Sequence, residues 1–583
     1  MKHYAGPLLF FLLAYLLPLG WRPMVAPDEH RYALVPHGMI ESGDWVAPRL
    51  ASLVYSEKPV LGYQMTAVSF KLFGENQFAL RFPVALSAGL CALLLTLFLR
   101  RFTGEDKLAA LGALLFLAGG MVYGIGTFAV LDMQLTMFVT GTMVCFLPAC
   151  LEPKFNRQKI VLLLLSGVFV GLAFLTKGFI AFAVPAVTIV PFLIWEKRWK
   201  DFLILPWLPL AAALLVAAPW ALLVHRVDPD FWRYFVVEEH INRFFGGVDA
   251  DHIEPFWALI PALVIGVLPA GLLAPYAVVG FLGKKQELLK KNYIRYTLCY
   301  AFFPFLFFSA SSGKLPTYVL PCMAPLAVLG AVGLAAYFRK GGEHRTFRWL
   351  TAALGMLLMV AAVLGCAGRV LLPRYWEALH SAPWLPDLVL TELTALAVFI
   401  WGGMLWAGRR QPWRFPLAAF FAGMVPVIVF GQLVIPERAL GDKAPNAALT
   451  ELGRHIPSGA MLAVHRSMFH AVAWVYKRSD LLLVGSPGEL DYGLMRGDGR
   501  VRFMKPAEYQ AFLQRPDRPE LVFLTREKSD DYLPEPAPEH REFRLDGVRL
   551  LIFPEVRPAR VSLPIDKISG LAGAAARNAG QGE

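Results

Sequence analysis

Long apolar runs separated by short polar breaks fill the first three quarters of the chain. They lie near 5 to 24, 79 to 99, 108 to 125, 128 to 147, 160 to 175, 178 to 194, 203 to 224, 256 to 281, 296 to 312, 316 to 337, 349 to 371, 387 to 407 and 415 to 435. Crossing a hydrocarbon core of about 30 Å takes about 20 helical residues, so the pattern predicts about thirteen transmembrane helices over 1 to 436. No small-residue cleavage site follows the first run, which is therefore expected to remain a helix and not to be a signal peptide.

Basic residues occupy every second connection: Arg100, Arg101 and Lys107; Lys154, Arg157 and Lys159; Lys197, Arg198 and Lys200; a lysine-rich turn over 284 to 295; Arg339, Lys340 and Arg345; Arg409, Arg410 and Arg414. Positive short loops stay cytoplasmic. The opposite, outer side then carries a first loop (25 to 78), a second loop (225 to 255), the turns near 125, 177 and 313, and everything after 436. Within the first loop, 31 to 42 and 60 to 73 mix apolar and polar residues at near-helical spacing, which predicts two helices lying on the membrane surface. After 436 the character changes. Short apolar runs at 461 to 464, 481 to 484 and 521 to 524 alternate with helical stretches at 447 to 455 and 506 to 513, as expected of a small soluble α/β domain over 437 to 583 with a frayed Ala- and Gly-rich tail.

Composition agrees with this picture. Of 583 residues 56% are hydrophobic and 17% charged, against about 25% charged in an average soluble domain. The excess of 56 Lys and Arg over 44 Asp and Glu is what cytoplasmic loops demand, and no nucleic-acid partner is inferred from it. Cys91, Cys145, Cys150, Cys299, Cys322 and Cys366 fall inside or at the ends of apolar runs without metal-site spacing, and read as packing residues.

Charge is costly at membrane depth, so ionisable residues gathered at one boundary are functional candidates. Asp28 and Glu29 follow the first helix, Glu57 and Lys58 lie later in the same loop, and Asp132 opens the fourth helix; Lys177, His240, His252, Glu254 and Lys314 are assigned to the same outer side. Each has a plain structural alternative, such as helix capping for Asp28 and Glu29, an ion pair for Asp132, or interfacial anchoring for Lys177. Taken together, lysines and a tyrosine such as Tyr318 suit a phosphate or diphosphate headgroup presented from the lipid. The carboxylates suit three tasks: binding a metal, orienting a nucleophile, or stabilising a cationic sugar-like centre. Glu57 and His252 form an O/N pair fit for zinc or another divalent ion. A lipid or sugar transporter would instead hold its charges near the bilayer midplane on broken helices, and no such charged pair is read here.

The motifs Pro27-Asp28-Glu29-His30-Arg31-Tyr32-Ala33, Ser42-Gly43-Asp44-Trp45, Tyr55-Ser56-Glu57-Lys58-Pro59, Leu131-Asp132, Leu175-Thr176-Lys177-Gly178, Phe235-Val236-Val237-Glu238-Glu239-His240 and Ser312-Gly313-Lys314-Leu315-Pro316-Thr317-Tyr318 resemble, in order over 5 to 435, the aminoarabinose transferases of lipid A. These are GT-C glycosyltransferases related to protein O-mannosyltransferases. The resemblance implies a GT-C type α-helical polytopic membrane enzyme of the bacterial inner membrane. Such an enzyme moves 4-amino-4-deoxy-L-arabinose from undecaprenyl phosphate to a lipid A phosphate on the periplasmic face. It further implies Asp28 as the first-loop acid, Asp132 as a second functional acid, and Lys58 as the contact to the lipid phosphate. Glu57 and His252 would be zinc ligands, and Tyr318 would lie near the carrier phosphate. Glu29, Lys177, Lys314 and His240 complete the expected substrate-binding set. Two departures are visible: His30 stands where a smaller residue is expected, and the surroundings of His252 are less familiar than those of Glu57. Transfer of another polyprenyl-linked sugar, a hexose or hexosamine, or transfer to a protein hydroxyl, are the alternative enzymatic readings.

Overall fold

The computed structural model describes residues 2–242, 253–341, 344–375, 388–435, 437–529 and 532–556. Each apolar run has a helical counterpart. Eight helices among the described residues are long and apolar enough to cross a membrane, and shorter apolar helices cover Ala5–Leu16, Ile180–Trp195, Phe256–Gly266 and Ala270–Gly283. The first of these, α1 (Ala5–Phe11), continues only as a π-turn to Leu16. It stops short of the predicted 24 because Pro18 has no N–H to extend the ladder.

The first outer loop holds the two expected helices, α2 (Asp28–Ser42) and α3 (Leu61–Phe73), joined by a two-stranded ribbon of β1 (Arg49–Leu50) and β2 (Leu53–Val54). The long α4 (Gln77–Thr103) follows, capped at its start by the Asn76 side chain accepting from the Ala79 N–H. Then come α5 (Asp106–Leu117), α6 (Gly120–Gly126), α7 (Asp132–Leu151) and α8 (Arg157–Lys177). Helix α7 is buried along most of its length between α4 and α8. This fixes the position of Asp132 at its first turn, where the helix dipole also favours a carboxylate.

Two predicted runs are interrupted, and the interruptions meet. The run 108 to 125 breaks between α5 and α6, and the run 256 to 281 breaks around Pro269. The Gly120 N–H donates to the Leu268 carbonyl at 2.6 Å, and Gly119 bridges Pro269. Each break thus satisfies backbone groups that the other exposes. A Cβ on Gly120 would stand 2.6 Å from the Leu268 oxygen, so this contact requires glycine. The breaks border an apolar cavity of about 430 Å³ lined by Phe116, Val267, Leu273, Ala277 and Met323, among others, and by no charged residue. Broken helices without charge are not the ion-coupled sites of secondary transporters.

Beyond the last span lies a six-stranded sheet of order β5-β4-β3-β6-β8-β7, made of β3 (Met461–His465), β4 (Leu482–Val484), β5 (Phe503–Met504), β6 (Leu521–Arg526), β7 (Arg541–Leu545) and β8 (Val548–Phe553). The first four strands in that order are parallel, with Ala463 opposite both Leu482 and Phe523; β8 and β7 close the edge antiparallel. The near-continuous apolar runs of β4 and β6 fit strands covered on both faces.

Candidate active site

The acids and lysines singled out in the sequence meet in two kinds of arrangement. The first is closed. Glu29, fully buried, receives Arg81 in a fork of two 2.7 Å hydrogen bonds, Arg22 at 3.2 Å, and the N–H groups of Val25 (2.9 Å) and Ala129 (3.2 Å). Burial pushes its carboxyl up, but Arg81 and Arg22 outweigh burial and hold it below the usual carboxylate range. Every oxygen of Glu29 is engaged within the chain. It ties the first loop to α4 and to the segment before α7.

The second arrangement is open. Asp28, at the start of α2 and partly exposed, pairs with Arg31 one turn later at 2.5 Å. Lys58 donates to Glu239 at 2.5 Å and to the Glu57 carbonyl at 3.0 Å. Glu57 accepts from the Tyr55 hydroxyl at 2.8 Å. Burial and the neighbouring Glu239 and Glu489 carboxylates raise the Glu57 pKa against the opposing pull of Lys58 and Arg31. Asp132 pairs with Lys177 at 2.7 Å, and the same ammonium lies over the Tyr318 ring, 5.8 Å from its centroid. Lys58, Glu57, Asp132 and Lys177 keep 13–15% of their side-chain surface exposed.

Tyr32 joins these groups, and sequence reasoning passed over it. Burial pushes its hydroxyl up to about 12, Arg31 and Lys58 oppose that rise, and Asp132 and Asp28 add to it. One phenol thus lies in the fields of residues from three separate segments. Its ring stacks on Tyr63 of α3 at 5.8 Å. The signal was available, because Tyr32 falls on the same helix one turn after Asp28. Glu239 and Arg31 were likewise inside quoted motifs without being assigned a role.

The remaining candidates sit around this centre. Lys314 is buried and donates to the Glu254 carbonyl at 2.5 Å, beside a bridge between Ile253 and Gly313 that joins the second loop to the turn before Tyr318. The His240 Nδ1 pairs with the Phe235 carbonyl at 2.7 Å, its Nε2 receives the Phe179 N–H at 3.3 Å, and its ring packs on Phe235 and Phe179. His240 therefore fastens the second loop to the end of α8. His252 lies outside the described residues. Among the described residues, no three His, Cys, Asp or Glu side chains gather as a metal site. His30, the visible departure in the first motif, is buried, and its Nε2 pairs with the Asn446 Oδ1 at 2.6 Å. A smaller residue would not reach the soluble domain there.

Comparison with known proteins places this arrangement. A family model described as dolichyl-phosphate-mannose-protein mannosyltransferase matches residues 3–235, and one described as the C-terminal domain of arabinosyl transferase ArnT matches 440–553. An undecaprenyl phosphate-alpha-4-amino-4-deoxy-L-arabinose arabinosyl transferase of Shewanella sediminis is 35% identical over 531 residues, 91% of this chain and 94% of its own. The chain belongs to that arabinosyl transferase family. A member from Aeromonas salmonicida is 37% identical over 516 residues, covering 87% of this chain and 90% of its own. Crystal structures of ArnT from Cupriavidus metallidurans, one bound to undecaprenyl phosphate and one in the apo state, share the fold of this transferase. The bound form superposes with a TM-score of 0.72 at 20% identity over 94% of this chain and 97% of the other. The GT-C membrane architecture with a C-terminal α/β domain is therefore that of the family. The transferase carries Asp28, Lys58 and Asp132 on three segments that converge around Tyr32.

Proposed function

We propose that this transferase moves 4-amino-4-deoxy-L-arabinose from undecaprenyl phosphate to a lipid A phosphate on the periplasmic face of the bacterial inner membrane. One observation carries the reading: Lys58, held by Glu239, shares the neighbourhood of Tyr32 with Asp28 and Asp132. The names of the relatives supply the donor. In the reaction the polyprenyl phosphate leaves as an anion, so a lysine that meets the developing charge lowers the transition state more than the ground state. Lys58 takes that task, with Lys177 and Lys314 behind it. A lipid A phosphate is already an anionic nucleophile near neutral pH and needs no general base. Asp28 and Asp132 then orient the amino sugar and stabilise positive charge at its anomeric carbon. A single displacement inverts that carbon.

Mass spectrometry of lipid A from cells with and without this protein tests the proposal. A mass shift matching a 4-amino pentose is expected, with lower sensitivity to the cationic peptide polymyxin. A hexose-sized shift, or a shift on periplasmic proteins instead, would reject it. Glu57 with His252 is also the proposed holder of a divalent ion such as zinc, since a cation beside Glu57 would offset the negative potential of Glu239 and Glu489. Elemental analysis of the purified protein beside Glu57→Ala decides this; absence of metal in the parent removes it.

A further inference from the structure

Among the contacts between the soluble domain and the membrane domain is one short segment, 488 to 496, which comprises a 3-10 turn (Gly488–Leu490), one helical turn (Asp491–Leu494) and the two residues after it. Its side chains reach three segments that carry the candidate active site. Glu489 forms an ion pair with Arg31, the partner of Asp28, and lies 2.9 Å from the His470 Nε2. Burial raises the Glu489 carboxyl, yet Arg31 and His470 outweigh it and hold the group well below the usual carboxylate range. Tyr492 and Arg496 both bind the buried Asp228, the tyrosine hydroxyl at 2.7 Å, and Asp228 accepts from Ser56, the residue before Glu57 and Lys58, at 3.2 Å. The Tyr492 ring packs on Tyr234 at 4.4 Å, at the start of the π-turn (Tyr234–Asn242) that carries Glu239 and His240. Gly493 lies flat on β2: a Cβ there would stand 2.6 Å from the Val54 oxygen and 2.9 Å from the Leu53 Cβ.

We infer that segment 488 to 496 is a positioning clamp, through which the soluble domain sets the geometry of Asp28, of Glu57 and Lys58, and of Glu239. This rests on the proposed transfer reaction for its kinetic test, and it assigns the soluble domain a part in that reaction. The arrangement supports more than attachment. A domain held on only for cover needs no carboxylate paired with Arg31 at its junction, since desolvating such a pair is costly. The contacts also fall on the residues just beside the candidate groups and not on the candidate groups themselves. Glu489, Tyr492 and Gly493 are positioning residues, because each acts through Arg31, Ser56 or the backbone of β2. Small displacements matter here, since catalytic geometry off by about 1 Å costs about a hundredfold in rate.

The test uses the full-length enzyme in nanodiscs, with undecaprenyl phosphate-aminoarabinose as donor and purified lipid A as acceptor. Glu489→Gln keeps the shape and removes the charge. A fall in kcat of about tenfold to a hundredfold is expected, with KM for the donor and the affinity for undecaprenyl phosphate within about twofold of the parent, and Glu489→Asp should recover part of the loss. Gly493→Ala removes no functional group and should lower kcat by pushing β2 away. Parent-like kcat in both Glu489→Gln and Gly493→Ala, or activity loss that only tracks the fraction of folded protein, would overturn the clamp. Spin labels at Glu41→Cys on α2 and Arg515→Cys in the soluble domain give a second readout independent of turnover. The distance distribution should be narrow in the parent and broader in Glu489→Gln; an unchanged distribution overturns the clamp. If the parent binds donor but transfers nothing to lipid A, the proposed reaction is at fault, and the label distances still judge the clamp.

Discussion

Two carboxylates adjacent in sequence end in opposite situations. Glu29 is sealed among Arg81, Arg22 and two backbone N–H groups, with no exposed surface. Asp28 keeps 42% of its side chain exposed and has Arg31 as its ion-pair partner. The same contrast separates the Glu29 cluster from the Lys58–Glu239 and Asp132–Lys177 pairs, which keep 13–15% of their side-chain surface exposed. A saturated buried cluster has no valence left for a ligand and serves to fix the chain. A pair that keeps some exposed surface can exchange its partner for a phosphate. Saturation, more than charge, separates the residues that fix the chain from the candidate site residues.

Breaking the closed cluster should have the largest effect. Glu29→Gln leaves Arg81 buried with its charge unpaired, and removing one partner of such a pair costs about 3–5 kcal/mol. Thermal unfolding of the purified variant should show that loss, with folded yield falling alongside activity; a parent-like melting curve would dismiss the holding role. Breaking the open cluster should do the reverse. Lys58→Ala and Asp28→Asn should melt like the parent and lose transfer by about a hundredfold to a thousandfold in kcat, the scale for a donor aimed at developing charge. If either variant retained near-parent turnover in the reconstituted assay, that residue would have no part in the chemistry.

Most of the membrane spans were legible in the sequence, because thickness dictates length: eight described helices are long and apolar enough to cross, and four shorter apolar helices match further runs. The soluble strands at 461 to 465, 482 to 484 and 521 to 526 were legible as apolar runs, whereas the hairpin of β7 and β8 was missed. Its turn, Asp546-Gly547, with both residues at positive φ, is a hairpin signal that was there to be read. The breaks near Gly119 and Pro269 were not legible as a pair, since each is tolerable only because the other supplies its hydrogen bond. The role of Glu29 was hidden for a similar reason. Nothing beside it in sequence says that Arg81, 52 positions on, will enclose it. Glu489 was invisible as well, because its partner Arg31 is 458 positions away.

His30 extends the comparison to the junction between domains and is expected to show as a pH effect. Burial pushes its imidazole down to about 4 from 6.5, against the hydrogen bond to Asn446. The unfolded chain therefore takes up a proton that the folded chain refuses, so stability rises with pH between those values. The contribution is complete above about 6.5 and is lost as the pH falls towards 4, about 3 kcal/mol in all. Melting temperatures measured across pH 4 to 7 should fall on the acid side in the parent and fall less in His30→Gln. Equal slopes in the two proteins would show that His30 does not report on the docked soluble domain.

Glu239 gives the smallest effect and the sharpest one. It is the carboxylate that Lys58 holds in the absence of substrate, and a headgroup phosphate has to compete with it. Removing the charge in Glu239→Gln frees Lys58 for the phosphate, so the affinity for undecaprenyl phosphate should rise, by no more than about tenfold, the equivalent of about 1.4 kcal/mol. The amide still accepts one hydrogen bond, so the loop should keep its place. Titration of the variant and the parent with undecaprenyl phosphate in nanodiscs separates two accounts of the open cluster. Tighter binding marks the Lys58–Glu239 pair as one that yields to substrate. Weaker binding would mean that Glu239 orients Lys58 towards the phosphate, and the rule that open pairs exchange partners would fail at the very pair that suggested it.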